Sequence, residues 1–333
     1  MDNWRCSFAV NPEARHEMIH VPALIANLAR AVVAWALICF AGSGTAWAAE
    51  HALIMWINQY ADPRIRIVGL ERDAVLARNM AQALGVPGAN IIERSNAQLT
   101  HTGLKDALAS LLGRVRPGDG VFIYFSGHGR QLQRLSGGTG CSEGLATFEG
   151  GIYFDLLLRD ELDALAEQAS RVLMFNDSCF SGGTATKSFD MAVPLDMQPK
   201  TYPDGSAPTP QLDAKGLPGA VTNAIPSDSQ GCGLPINPVS KAFGGLAQSA
   251  NRHGVLYLGG AAANEAAYPT PQGSVATRAW AACLKNPAAD VDHNGMLTGA
   301  ELITCAQSWV QQNTRYRQTI TGVGNDQMPL RRF

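Results

Sequence analysis

Two short apolar runs limit the folds open to this chain. Val172–Phe175 reads as a buried parallel strand, closed by Asn176-Asp177-Ser178, with Cys179 next and Ser181-Gly182-Gly183 as a flexible turn. Val121–Phe125 (VFIYF) reads the same way and ends in Ser126-Gly127-His128-Gly129. Sheets built from such strands carry their chemistry in loops at the C-terminal edge. If the two strands lie near each other, the His128 imidazole and the Cys179 thiol face each other across a crevice. His128 then acts as general base, or holds Cys179 as a thiolate, and later protonates the leaving amine. The N–H groups of Gly129 and Cys179 are candidate oxyanion-hole donors, and the glycines beside His128 let a substrate backbone come close.

The rest of the chain supplies a matching rhythm. Ala52–Ile57 is a strand, Leu70–Leu84 a helix with Gly85 past its end, and Ile91-Ile92 a short strand. Thr100 caps a helix running to about Leu112, and Pro117–Gly120 turns into the His128 strand. This β-α-β-α-β order predicts an α/β fold, a three-layer α/β/α sandwich around a mostly parallel sheet. From His128 to Gly151 the chain reads as irregular. A helix over Arg159–Ala169 leads into the Cys179 strand, Gly254–Gly260 is a further buried strand, and Ser274–Leu284 and Gly299–Gln312 are helices. Between them, residues 182–253 hold nine prolines and nine glycines with no periodic pattern, which reads as a long loop, either a substrate-binding or processing element or a plain surface insertion.

At 46% hydrophobic and 16% charged residues with a net charge of −2, the composition suits one large globular domain and gives no electrostatic case for nucleic acid. The N-terminus reads differently. Arg30, the apolar run Ala31–Ala41, and Ala46-Trp47-Ala48 follow the pattern of a secretory signal, so residues 1–48 are expected to be a signal region and 49–333 the mature domain. Extended upstream to Val21 the stretch would be a signal anchor, but Arg30 interrupts it; Met18 is a second candidate start. An exported protein, periplasmic or secreted, with no membrane association after cleavage, is the expectation. Without Cys6 and Cys39, five cysteines remain: Cys141, Cys179, Cys232, Cys283 and Cys305. An odd count in an oxidising compartment fits one reactive thiol and two bridges, paired here as Cys283–Cys305 and Cys141–Cys232, with four reduced buried cysteines as the alternative.

A strand ending in SGHG, followed about 50 residues later by a strand ending in DSCFSG, resembles the caspase-like cysteine peptidases, closest to the metacaspase branch and its bacterial relatives. The resemblance runs from about Ala49 to Pro329. It implies a Cys179/His128 dyad that hydrolyses peptide bonds, with no cofactor needed for the chemistry. It also implies an acidic pocket for the residue before the cut bond, formed by Asp73, Ser126 and Asp177, with Leu70 where relatives often carry cysteine. Two carboxylates in a cleft select Arg or Lys, with Arg favoured by fork-to-carboxylate pairing, so the expected partners are proteins or peptides with basic residues. The alternative for Asp73 is an exposed carboxylate at a helix start, beside Glu71 and Arg72. Phe180 departs from the family, where histidine often follows the cysteine. If the peptidase reading holds, Lys187, Lys200, Lys215, Lys241 and Arg252 are candidate points of self-cleavage.

Asp290–Glu301 (DVDHNGMLTGAE) matches a twelve-residue EF-hand loop, with Asp290, Asp292, Asn294, the Met296 carbonyl and Glu301 as calcium ligands and Gly295 at the turn. The alternative is a tight turn without metal. A second calcium site seen in metacaspases would fall near Asp160 and Glu161, where Arg159 replaces the first acid. Two rival functions remain: a catalytically silent caspase-like binding module, and a serine hydrolase using Ser178 or Ser181, which lacks the G-x-S-x-G elbow.

Overall fold

The computed structural model describes residues 48–133, 141–178, 200, 254–262 and 265–333. The expected signal region therefore lies outside the described residues, except for Ala48, and so do Cys179, Phe180, Cys232 and all of the long loop apart from Lys200. Among the described residues no helix is long and apolar enough to cross a membrane.

In chain order the strands are β1 (Glu50–Trp56), β2 (Ile91–Ser95), β3 (Gly120–Ser126), β4 (Gly129–Gln133), β5 (Cys141–Ala146), β6 (Ile152–Phe154), β7 (Arg171–Asp177), β8 (Val255–Gly259), β9 (Met296–Thr298), β10 (Thr321–Gly324) and β11 (Pro329–Arg332). The helices are α1 (Leu70–Ala83), α2 (His101–Leu112), α3 (Asp155–Ala166), α4 (Val275–Cys283) and α5 (Gly299–Asn313). Six strands form the central sheet in the order β10-β8-β7-β3-β1-β2, parallel except for β10. The two reactive strands are direct neighbours, with Ser126 opposite Asp177, so both loops leave the same edge.

Side-chain parity explains the layers. Along β3, Val121, Ile123 and Phe125 enter one core with Leu104, Leu108 and Leu111 of α2 and Leu158, Leu162 and Leu165 of α3. Phe122 and Tyr124 enter the other, with Met80 of α1, Trp280 of α4 and Leu302 and Val310 of α5. A strand alternates faces residue by residue, so both faces must be apolar, and the run VFIYF is the result. The fold is the expected α/β/α sandwich. Phe175 is packed between Phe122 (5.2 Å, edge-on) and Trp280 (4.8 Å) at its centre.

Two readings need correction. The stretch after His128 is not irregular: β4, β5 and β6 form a separate antiparallel sheet. β4 and β5 are rich in Gly and polar residues and β6 is only three residues long, so hydrophobic periodicity gave no sign of them. The helix before β7 starts at Asp155 instead of Arg159, because Leu158 and Leu162 bury the face that the charged run RDE concealed. Elsewhere the boundaries shift by a residue or so, with β2 longer, and Thr100 caps α2 as expected, its hydroxyl accepting from Gly103 N at 3.0 Å.

Cys283 and Cys305 are disulfide-bonded, joining α4 to α5. The Cys141–Cys232 pairing lies outside the described residues.

Candidate active site

The same parity that builds the core aims the site. Ser126 follows Phe122 and Tyr124, and Asp177 follows Leu173 and Phe175, so both side chains face the layer of α1 and α4. Asp73 lies one turn into α1 and is fully buried, while its neighbours Glu71 and Arg72 are exposed. The exposed-carboxylate alternative is thereby corrected: the helical period separates the three, and only Asp73 points inward.

Buried carboxylates are costly unless hydrogen-bonded, and the N-terminus of α4 supplies the bonds. Ser274 N donates to Asp73 Oδ1 (2.6 Å), and the Ser274 hydroxyl donates to Asp73 as well. Thr277 N, an otherwise uncommitted amide of the first helical turn, donates to Asp177 Oδ2 (3.1 Å). Gly273, at φ +109°, brings the chain to Asp73 so closely that a Cβ would stand 3.0 Å from Oδ1. Ser126 Oγ donates to Asp73 Oδ2 (2.7 Å). Burial raises the Asp73 pKa, with nearby Asp177 adding to the rise, while the Lys200 ammonium and the Ser274 bonds pull it back.

The cation among these groups is Lys200, itself fully buried. Its Nζ lies 3.0 Å from Asp177 Oδ1 and 3.4 Å from Asp73 Oδ2, and donates to Ser126 Oγ (2.8 Å) and the Asp177 carbonyl (3.0 Å). Its backbone is held too: Lys200 N donates to Ala267 O (3.0 Å), and Gly129 N donates to Lys200 O (2.9 Å). The three expected polar pocket residues are thus brought together. Leu70 is buried, in the same core as Tyr60, Ile65 and Ile67.

His128 stands at the same edge. Its Nε2 lies 2.8 Å from the Ile65 carbonyl, and its backbone N donates to Tyr60 Oη (2.7 Å), with the Tyr60 ring 5.0 Å from the imidazole. A carbonyl can only accept, so Nε2 carries the proton and Nδ1 the lone pair of the neutral ring. Burial lowers the His128 pKa to about 4; the Ile65 and Lys200 carbonyls oppose that fall and the Lys200 ammonium adds to it. Gly127 is fitted so tightly that a Cβ would come within 2.9 Å of the Phe125 ring and 3.0 Å of Tyr60 Oη.

Cys179 itself, the proposed nucleophile and second oxyanion donor, lies outside the described residues, one position beyond buried Ser178. The Ser178 hydroxyl donates to Asn176 Oδ1 (2.8 Å), which ties up the proton that a serine nucleophile would have to yield. Sequence reasoning missed Tyr60, Ile65, Ala267, Ser274 and Thr277. Only Ser274 left a trace, as the residue opening a helix.

At the EF-hand-like loop, one oxygen each from Asp290, Asp292 and Glu301 lie within 4.8 Å of one another. Asp290 accepts from Asn294 N (3.2 Å) and Gly295 N (2.8 Å), Met296 N donates to Asn294 Oδ1 (2.8 Å), and Glu301 closes a capping box with Thr298. Both flanking helices form, and β9, in the second half of the loop, pairs with C-terminal β11. The donor set, hard oxygens around a Gly turn, fits calcium. At the second suggested calcium position, Arg159 pairs with Asp160 (2.7 Å).

A family model for the caspase domain matches residues 49–330. Metacaspase-6 of Arabidopsis thaliana is 25% identical over 176 residues, covering 50% of this chain and 47% of that protein, so the chain spans about half the length of the curated relative it matches. A solved structure of a protein from Geobacter sulfurreducens superposes with a TM-score of 0.53 at 17% identity, over 83% of this chain and 93% of that one, which shows a shared fold. Caspase-1 from Spodoptera frugiperda superposes with a TM-score of 0.49 at 11% identity, over 84% of this chain and 87% of that one.

Proposed function

The chain belongs to the caspase-domain family, a family of cysteine peptidases acting on proteins, and on that premise we propose that it is an endopeptidase cutting after lysine or arginine through Cys179 and His128. The observation that carries this reading is the seating of Lys200: ammonium between two carboxylates, carbonyl on the Gly129 amide, imidazole alongside. A substrate residue held in that way presents its carbonyl carbon to a nucleophile and its oxygen to a donor that strengthens as negative charge develops.

An imidazole held near 4 is neutral at working pH, so His128 takes the thiol proton during attack and does not wait as an imidazolium beside a thiolate. The Ile65 carbonyl does the orienting that a third side chain does elsewhere, which makes a dyad sufficient. Lysine is preferred to arginine, the reverse of what fork pairing suggests. The carboxylates are pinned by main-chain amides of α4 and cannot retreat, and four oxygens already surround a single nitrogen.

Fluorogenic peptides ending in Lys, Arg, Asp or Leu test this. The expected order is Lys, then Arg, with Asp and Leu uncut; hydrolysis without basic preference, or none by a folded sample, overturns it. Export is proposed with it, supported by the N-terminal signal pattern and by the Cys283–Cys305 bridge, which suits an oxidising compartment. Calcium binding at Asp290, Asp292, Asn294, the Met296 carbonyl and Glu301 is proposed as structural support, with no part in the bond chemistry.

A further inference from the structure

The end of the sheet opposite the active edge holds a buried carboxylate that no lysine or arginine among the described residues pairs with. Asp119 lies in the turn that leads into β3 and is 5% exposed. Its Oδ2 accepts from Arg116 N (2.8 Å) and lies 3.1 Å from His51 Nε2, while its Oδ1 accepts from Ala49 N (2.7 Å). Ala48 and Ala49 flank the bond at which the signal pattern ends. We infer that removal of residues 1–48 leaves an α-ammonium at Ala49 seated on Asp119, an ion pair that the precursor lacks. The inference rests on the export reading above and deepens it by naming what receives the new chain end.

The seat is fixed from both sides. Ala49 O accepts from Gly120 N (2.9 Å), which extends the β1–β3 pairing back to Ala49 and holds its nitrogen in place. Asp119 is held by its own backbone: its N donates to Arg116 O (3.0 Å), and its O accepts from Ser170 N (2.8 Å) and Ser170 Oγ (3.0 Å). Ala48 is exposed, so the bond to be cut is open to a processing enzyme.

The nearby charges have other partners. Glu50 pairs with Arg171 (2.9 Å), and the Arg116 guanidinium turns to the Gly113 and Val115 carbonyls (3.5 and 3.4 Å). Among the described residues, His51 is the one side chain that brings a titratable nitrogen to Asp119. Burial raises the Asp119 pKa, but the Ala49 and Arg116 amides and His51 more than offset this and hold the carboxyl below its ordinary value. Asp119 is therefore an anion at neutral pH, and a buried anion is costly until it is paired. An aspartate that only shaped its turn would need the Arg116 amide alone. Its second oxygen is aimed at the nitrogen that processing charges.

The cut balances with water, delivered by a peptidase that cuts after small residues. Water's oxygen bonds to the Ala48 carbonyl carbon as the carbon–nitrogen bond breaks, and both its protons end on the Ala49 nitrogen. An amide donating to a carboxylate becomes an ammonium paired with one, at the same place. The carboxylate raises the amine's pKa above the ordinary value of about 7.7–8.0. The stability this adds is complete below about pH 8 and is lost as pH rises through the raised value.

The test uses full-length Cys179→Ala protein made in an exporting host. Intact mass gives the new N-terminus, and limited acetylation with acetic anhydride over a pH series gives the pKa of its amine. Ala49 is expected as the first residue, its amine about one unit above the ordinary value, which makes acetylation at pH 7 roughly tenfold slower. Asp119→Asn returns the amine to the ordinary value, and its urea midpoint falls less between about pH 7 and 10 than that of the Asp119 chain. An Ala49 amine that acetylates as an exposed one does overturns the inference; that measurement needs no variant, so it decides even where Asp119→Asn fails to fold. A secreted chain that starts at another residue also overturns it and leaves export standing. A chain retained uncut in the producing cells overturns both.

Discussion

The acidic pocket and the Asp290–Glu301 loop both gather carboxylates around a point, in opposite settings. Asp73 and Asp177 are fully buried and are held by residues 201 and 100 positions away in the chain. Asp292 is exposed and Glu301 half-buried, and the loop's carboxylates accept from amides within ten residues of their own positions. The loop is thus a local device that a twelve-residue pattern can describe. The pocket exists only once α1, β3, β7 and α4 have met. α4 links the two regions: its N-terminus holds the pocket carboxylates, and Cys283 at its other end is bonded to α5, the helix that Glu301 helps to cap.

The sharpest way to break this contrast is to neutralise one acid in each region. Asp73→Asn or Asp177→Asn in a Cys179→Ala chain removes a partner of a buried charge and should cost about 3–5 kcal/mol in urea unfolding. Asp292→Asn, measured in chelator, should stay within about 0.5 kcal/mol. Equal losses would mean that burial does not distinguish the two sites. In the active chain the pocket variants should lower kcat/KM for Lys-ended peptides by about 100-fold or more.

His128 gives a second test on the pocket side. Burial holds its folded pKa at about 4, below the ordinary histidine value of 6.5. The unfolded chain therefore binds the extra proton first. Stability conferred by burying the neutral ring is complete above pH 6.5, falls as pH drops from 6.5 to 4, and levels off below, a loss of about 3 kcal/mol. Comparing Cys179→Ala with Cys179→Ala/His128→Gln by urea unfolding at pH 7 and 4.5 isolates it; parallel slopes in the two would refute the assignment. The α4 link is tested next. Opening the Cys283–Cys305 bridge, whose partners are 22 residues apart, should cost about 3 kcal/mol by the loop-entropy estimate. Calorimetry of the double Ser variant measures this. The smallest effect is at the loop. Calcium at ten times its Kd should stabilise by about 1.4 kcal/mol, a shift that Asp290→Ala abolishes.

Most of the sheet was legible because doubly buried strands announce themselves: VFIYF and VLMF have no polar face to hide. The pairing of His128 and Cys179 strands in one sheet edge could be reasoned from those runs. The β4–β6 sheet could not, since its backbone pairing leaves no periodic trace in residues such as GRQLQ. Asp73, Ser126 and Asp177 were found by family resemblance, but their state was not. Nothing in GLERDA distinguishes the buried acid from its two exposed neighbours until α1 has a surface to pack on. The seat of Lys200 was beyond reach for the same reason, since a lysine in an aperiodic stretch carries no sign of the carboxylates it will meet.

The register of β3 against β7 sets Ser126 opposite Asp177. Because strand faces alternate, sliding β7 by one residue would turn Asp177 away from α4 and bring Asn176 into its place. The proposed recognition of a basic residue would therefore depend on sheet alignment as well as on the carboxylates themselves. Activity on a Lys-ended peptide would in that sense report on the quality of folding.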